Sequence, residues 1–253
     1  IMEVCMLRKK SNLIVIVTMI LLLTTACQSN ASKNQQNLIF TTGTTTGVFY
    51  SLGALLSTKW SNELGERITS QASNGSVENL NLMKKGEANI GSTTVNMAYE
   101  AFSGEGSFSN NKYENVRILA NLYPNANHII TLDNGKIDSI EELSGSSFVF
   151  GAAGSATEVE SKLVLEAHGV PIDKVKANYV GFTEAVDLMR NGQVDAVNIY
   201  SGVPSSATTE LISTFDSKVL NLSEGAIEKL TSDYAWNFRY VIEPNTYDKQ
   251  AEP

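Results

Sequence analysis

Three short polar turns hold the residues whose types and spacing could do chemistry. They are Gly43-Thr44-Thr45-Thr46-Gly47, Ser73-Asn74-Gly75-Ser76 and Gly151-Ala152-Ala153-Gly154-Ser155-Ala156-Thr157-Glu158. Each follows an apolar or β-prone stretch and opens a run with helical spacing. At such a junction the free N–H groups of the first helical turn and the positive end of the helix dipole attract an anion. The glycines let backbone approach a ligand closely, and the Thr and Ser hydroxyls add donors. Ser155 and Glu158 also fit a capping box, with Ser155 as N-cap and Glu158 at the third helical position. Taken singly, each is equally an ordinary strand-to-helix turn that needs glycine and a polar cap. Three in one scaffold can converge on one cleft.

Other chemistry is thinly represented. The 253 residues carry 19 Lys and Arg against 27 Asp and Glu, a net charge of −8, with no basic block beyond Arg8-Lys9-Lys10. Phosphate neutralisation needs clustered bases, so no nucleic-acid partner is expected. Two His and two Cys leave little material for a transition-metal site. Neither a metal nor a cofactor is expected. The G-x-x-x-x-G-K-[ST] phosphate loop is missing, and the first turn reads G-x-x-x-G instead of G-x-G-x-x-G. The G-x-S-x-G elbow and the H-E-x-x-H motif are missing as well. His128, in an apolar strand, reads as a packed residue. His168, in LEAHG, reads as a residue of a helix C-terminal turn. Catalysis would have only Glu158, hydroxyls and Tyr50 to draw on, and no enzyme is expected.

The elements that must position these turns alternate strand and helix from residue 38 onward. LIFTT, RITSQAS and EANIGST read as strands, with VFYSLGALLSTKW and SVENLNLMKK as the helices between them. FVFGAAGSATEVESKLVLEAHG, KANYVG, FTEAVDLMRNG and QVDAVNIYSG repeat the plan. The echo extends to residues: Leu82-Met83-Lys84-Lys85-Gly86 matches Leu188-Met189-Arg190-Asn191-Gly192, Gly75 matches Gly181, and Ala88-Asn89 matches Val194-Asp195, all at an offset of 106. Two α/β lobes around largely parallel sheets follow, with a cleft between them. VRILANLYPNANHIITL (116–132) and NFRYVIEP (237–244) read as the strands that cross between lobes.

Arg8, Lys9 and Lys10 precede the apolar run Leu13–Ala26. Its helix would rise about 21 Å, short of a bilayer core of about 30 Å, so it reads as a secretory signal. The boundary Leu23-Thr24-Thr25-Ala26-Cys27 resembles a bacterial lipobox, with Cys27 the lipidated residue. The polar stretch up to residue 37 suits a flexible tether. Loss of residues 1–26 leaves 16 bases against 26 acids, a net charge of −10. The expected organisation is a signal at 1–26, lipidated cysteine and tether at 27–37, lobe 1 at 38–122, lobe 2 at 123–236 and a return crossing to lobe 1 at 237–253.

Around the turns the sequence resembles the TAXI family of TRAP transporter solute-binding proteins. TTGTTTGVFYSLG (41–53), QASNGSVENLNLMKKGEANIG (71–91), ANLYPNANHII (120–130), GAAGSATEVESKLVLEAHGV (151–170), GFTEAVDLMRNGQVDAV (181–197), SGVPSSATTEL (201–211) and EPNTY (243–247) carry the resemblance. It implies a periplasmic-binding-protein type II architecture that closes on a small organic anion, glutamate or dicarboxylate-like, and delivers it to TRAP membrane subunits. Carried over by position, Gly43, Thr44, Thr46, Gly47 and Tyr50 would line one wall, and Asn74, Gly75, Ser76 and Asn79 the adjacent corner. Gly154, Ser155, Thr157 and Glu158, with Gly202 and Pro204, would come from the other lobe. Thr94 and Asn96 stand where the family often has Gln and Asp. Family members run on past the EPNTY stretch, so a C-terminal truncation is expected. The implied protein is an exported, lipid-anchored monomer on the outer face of the cytoplasmic membrane or in the periplasm. A lipid-anchored sensor or surface-binding protein uncoupled from transport is the alternative.

Overall fold

The computed structural model describes residues 36–134 and 136–251. The signal-like segment, Cys27 and most of the tether lie outside the described residues. Residues from Asn37 onward form one compact unit. Its first lobe is built from β1 (Asn37–Thr41), α1 (Val48–Leu64), β2 (Arg67–Gln71), α2 (Ser76–Lys85), β3 (Ile90–Gly91) and α3 (Val95–Ser103). The second contains β4 (Ala126–Leu132), β5 (Ser147–Val149), α4 (Ala156–Ala167), β6 (Lys176–Asn178), α5 (Phe182–Arg190), β7 (Ala196–Ser201), α6 (Ser206–Thr214), β8 (Ser217–Leu220) and α7 (Glu224–Asp233).

The sequence repeat is a structural repeat. The first sheet is parallel in the order β2-β1-β3, and β6-β5-β7 reproduces that order within the second sheet. Gly86 and Gly192 end the equivalent helices α2 and α5 with φ of 75° and 65°, the left-handed conformation that glycine adopts cheaply. Asn89 and Asp195 then perform the same task. The Asn89 Oδ1 accepts from the Ile39 N–H at 2.9 Å, and the Asp195 Oδ2 accepts from the Ser147 N–H at 2.8 Å. Each thereby clamps the strand that leaves the helix to the first strand of its repeat, β1 or β5.

The second sheet departs from a wholly parallel arrangement, because β4 runs antiparallel to both β7 and β8. Successive residues of a strand face opposite ways. Ile129 and Phe148 therefore enter a core with α4 and α7, whereas Ile130 and Val149 enter one with α5 and α6.

The expected crossing strands are a correction. Only residues 126–132 of the first stretch are in a strand, and 237–244 form none. A strand persists only where its N–H and C=O groups meet a ladder partner. Here β3 pairs through just two residues, and Ile118, Leu119, Leu122 and Phe238 stay exposed. A cavity of about 1630 Å³ borders them and the α1 residues Leu52, Leu56 and Trp60. Trp60 nonetheless packs inward, stacked on Phe40 with ring centroids 5.8 Å apart.

The EPNTY stretch docks on the second lobe, not the first. Tyr247 donates its hydroxyl proton to the His128 Nε2 at 2.9 Å and accepts from the Ser205 N–H at 3.1 Å, while His128 Nδ1 donates to the Ile199 carbonyl at 2.7 Å. Replacing Tyr247 by Phe leaves two buried groups unpaired, at a cost of about 2–3 kcal/mol, to be read as a shift in urea midpoint at unchanged m. Burial also holds His128 below its ordinary value of 6.5. Its contribution to stability is therefore present above that pH and lost as pH falls through the depressed value. His168 is placed as expected at the end of α4. Its Nδ1 donates to the Val164 carbonyl at 2.7 Å, and its Nε2 accepts from the Ser223 N–H at 3.1 Å.

Candidate functional site

Where the lobes meet, five helix N-termini, those of α1 to α5, converge on one small cleft. Its walls include Gly43, Thr44 and Gly47 before α1, Asn74, Gly75 and Ser76 at α2, Ser155 and Thr157 at α4, and Gly181 and Phe182 at α5. The repeat explains the arrangement. The turn before α2 faces the N-terminus of α4, and the turn before α5 faces the turn before α1. A Cβ on Gly75 would stand 3.7 Å from the Ser155 Cβ, and one on Gly181 would stand 2.9 Å from the Thr44 Cγ2. Each lobe's first turn thus meets the other lobe's second. Glycine is required at position 75 because its φ is 116°, and at position 181 because of the close approach of Thr44.

The chemistry of the cleft is that of neutral donors. None of the residues that line it is charged. The Ser155 Oγ accepts from the Glu158 N–H at 3.1 Å and the Ser76 Oγ accepts from the Thr94 N–H at 3.2 Å. With an acceptor position of each oxygen engaged inside the protein, both hydroxyl protons are left to donate. Ser76, Ala156 and Phe182 are first-turn residues whose N–H groups have no partner within their own helix.

The helix dipoles are unequally compensated. Glu78, Glu158 and Glu184 lie in the first turns of α2, α4 and α5, whereas α1 has no acid there. Glu78 accepts from the Asn74 N–H at 2.8 Å and Glu158 from the Gly154 N–H at 2.9 Å. A carboxylate at the N-terminus offsets the positive end of a helix. The N-termini of α1, between Thr44 and Val48, and of α3, whose N-cap Thr94 lines the cleft and whose first turn also has no acid, are therefore those best suited to an external anion.

Several residues expected at the site have other surroundings. Asn79 is fully buried beneath it, where its Nδ2 donates to the Thr42 and Ser92 carbonyls at 2.7 Å each and ties the ends of β1 and β3 together. Glu158 accepts from the N–H one position before the N-cap and pairs with Lys162 at 2.5 Å. Thr46 meets Thr183 across the lobes, hydroxyl to hydroxyl at 3.3 Å. Gly202 makes room for the Tyr123 ring, which a Cβ would approach to 2.7 Å. Tyr50, Gly154 and Pro204 are not among the residues lining the cleft.

Conversely, Asn125, Thr94, Tyr200 and Ser201 line it. The Thr94 Oγ1 and Asn125 Oδ1 are buried without a hydrogen-bond partner, which leaves two polar atoms for a ligand to satisfy. Asn125 and Tyr200 sit at strand ends, with no glycine turn or cap signature to single them out. The cleft measures about 50 Å³. Organic ligands occupy pockets of roughly 300–1,000 Å³, so entry requires the lobes to part.

No helix among the described residues is long and apolar enough to cross a membrane. Solved structures with a similar fold include the alkanesulfonate-binding protein SsuA from Xanthomonas axonopodis pv. citri bound to MOPS (17% identity, TM-score 0.53), where the match covers 77% of this chain and 63% of that one. The binding component of an ABC phosphonate transporter from Pseudomonas aeruginosa is another (16%, 0.52, 79% and 74%). A third is an arginine-bound mutant of ArgBP from T. maritima (13%, 0.51, 74% and 82%). This chain thus spans less than two thirds of the length of SsuA. The shared architecture is that of the type II periplasmic binding proteins. A family model, the NMT1-like family, matches residues 40–253. The chain belongs to the NMT1-like family.

Proposed function

We propose that the protein is an extracytoplasmic solute-binding lipoprotein that captures a small organic anion between its lobes and hands it to a membrane transporter. The observation that carries this reading is the convergence of helix N-termini from both lobes on one uncharged cleft, with the unpartnered Thr94 hydroxyl free to donate into it. Such a cleft holds an anion by N–H and O–H donors without a salt bridge. Two of the structural neighbours are named for the anions they bind, a sulfonate and a phosphonate. The TAXI resemblance points further, to glutamate or a dicarboxylate as solute and to TRAP-type membrane subunits as partner. Cys27 would carry the lipid anchor, and the domain bounds at residues 26, 37, 122 and 236 belong to the same proposal. The lining has no carboxylate, imidazole, amine or thiol, which supports capture without turnover.

A thermal-shift screen tests the ligand class. A ligand at 100 times its dissociation constant stabilises by about 2.7 kcal/mol, and a protein of this size gains roughly 5–10 °C in Tm. Glutamate, dicarboxylates or MOPS should produce that shift, whereas arginine and neutral sugars should not. A shift with arginine alone would sink the anion reading. Tyr50 occupies the third position of α1, a helix with no acid in its first turn. Tyr50→Glu should weaken anion binding by about five- to tenfold through the dipole and direct repulsion, measured by titration calorimetry at low salt. Tyr50→Phe should leave binding unchanged.

A further inference from the structure

Glu160, on α4 of the second lobe, is a carboxyl group buried to 1% exposure at the contact between lobes. The Asn96 amide, on α3 of the first lobe, donates to its Oε1 at 2.8 Å, while the Asn96 Oδ1 accepts from the Met97 N–H at 2.9 Å. Asn127 of β4 gives Glu160 a second side-chain hydrogen bond. The Asn127 Oδ1 accepts from Asn198 at 2.9 Å, and its bond to Glu160 favours the carboxylate, an effect smaller than that of burial. Met97 and Ala101 of α3 pack with Ala156 of α4, and Val159 adds to that apolar cluster. The titratable groups that act on Glu160 are Glu100 of α3, whose charge repels it, and Tyr200 of β7. Among the described residues no base offsets them.

We propose that Asn96 and Glu160 form a latch between the lobes that holds while Glu160 is protonated and slackens when it ionises. Parting α3 from α4 admits water to the carboxyl, whereas closure buries it beside Glu100 with no counter-charge. Burial, and secondarily the Glu100 charge, raise its pKa from 4.5 to about 7 in the closed form. A raised value makes the latch's contribution complete below the ordinary value and lost as pH rises through about 7. Closure takes up a proton, and within that window the closed-to-open ratio falls by up to about tenfold per pH unit. If the cleft is a capture site, as read above, solute affinity falls with rising pH in step.

The test needs no ligand, so its failure is separable from failure of the ligand class. Spin labels are placed at Lys59→Cys and Lys174→Cys, both on exposed side chains in opposite lobes, in the full chain with Cys5 and Cys27 replaced by Ser. Inter-label distances are measured at pH 5 and pH 8. The expected result is a longer-distance population that grows about tenfold or more relative to the short one at pH 8. Glu160→Gln, a neutral isostere, should keep the pH 5 distribution at both values. An unchanged wild-type distribution, or a Gln variant that shifts as the wild type does, would overturn the latch. Should Glu160→Gln fail to fold, Glu100→Gln serves instead. Removal of that charge should move the wild-type transition to lower pH, and an unmoved transition would overturn the proposal as well.

Discussion

Gly75→Val is expected to abolish ligand binding while leaving most of the fold intact. Gly75 is the N-cap of α2 with φ of 116°, a conformation that a β-branched residue adopts only under strain of about 1–3 kcal/mol. The strain is local, but the side chain is not. Its Cβ would point at the Ser155 Cβ 3.7 Å away, and the branches of valine would then hold the two lobes apart at the floor of the cleft. Because an organic ligand is retained by the closed form, loss of closure should weaken binding by roughly 100-fold, equivalent to about 2.7 kcal/mol. Titration calorimetry with whichever acid shifts the melt would measure it. Gly86→Ala is the control. Gly86 also has positive φ, at 75°, but a Cβ there meets nothing within 4 Å. That variant should lose about 1 kcal/mol of stability and keep its affinity. A Gly75→Val protein that binds as the wild type does would remove this turn from the site.

The second large effect is expected at Asn79, and it falls on stability instead of binding. Its amide joins the Thr42 and Ser92 carbonyls, so it closes the gap between the ends of β1 and β3 where the first sheet has only a two-residue pairing. Asn79→Ala leaves two carbonyls without their donor and a void beneath the cleft. At about 1–3 kcal/mol for each orphaned buried group, the loss is expected near 3 kcal/mol, or roughly 6–12 °C in Tm. Affinity measured well below the melt should change by less than about threefold, a shift under about 0.7 kcal/mol. A normal melt combined with a large loss of affinity would instead make Asn79 a ligand contact, the role its place in the motif suggests.

These two residues, four positions apart on one turn, mark how far local pattern carries. Gly75 was legible as a turn residue because a glycine between a strand and a polar helix start marks a backbone position of positive φ. Asn79 lay within the same motif and shared its periodicity. Only the arrival of Ser92, thirteen residues further on, makes its amide a brace. Ser155 and Glu158 were legible for the same local reason as Gly75. The capping bond spans three residues, and it forms as expected. The reach of the Glu158 carboxylate to the Gly154 N–H, one position before the cap, is a finer point of geometry.

The amino-acid sequence by itself determined the order of elements, the repeat, the helix starts at glycine turns and the α/β class. Each of these depends on hydrogen bonds and hydrophobic periods that close within about a dozen residues. The tertiary structure decided the rest. It joined the turn of one repeat to the turn of the other, turned β4 antiparallel to its neighbours, and left the β-prone stretches 116–125 and 237–244 without a ladder. It also set Asn96 against Glu160 across sixty-four positions of chain. Such contacts depend on how two lobes meet, and no short window of residues encodes that meeting. A strand propensity is satisfied only by a partner strand, and a buried carboxyl is defined only by what closes over it.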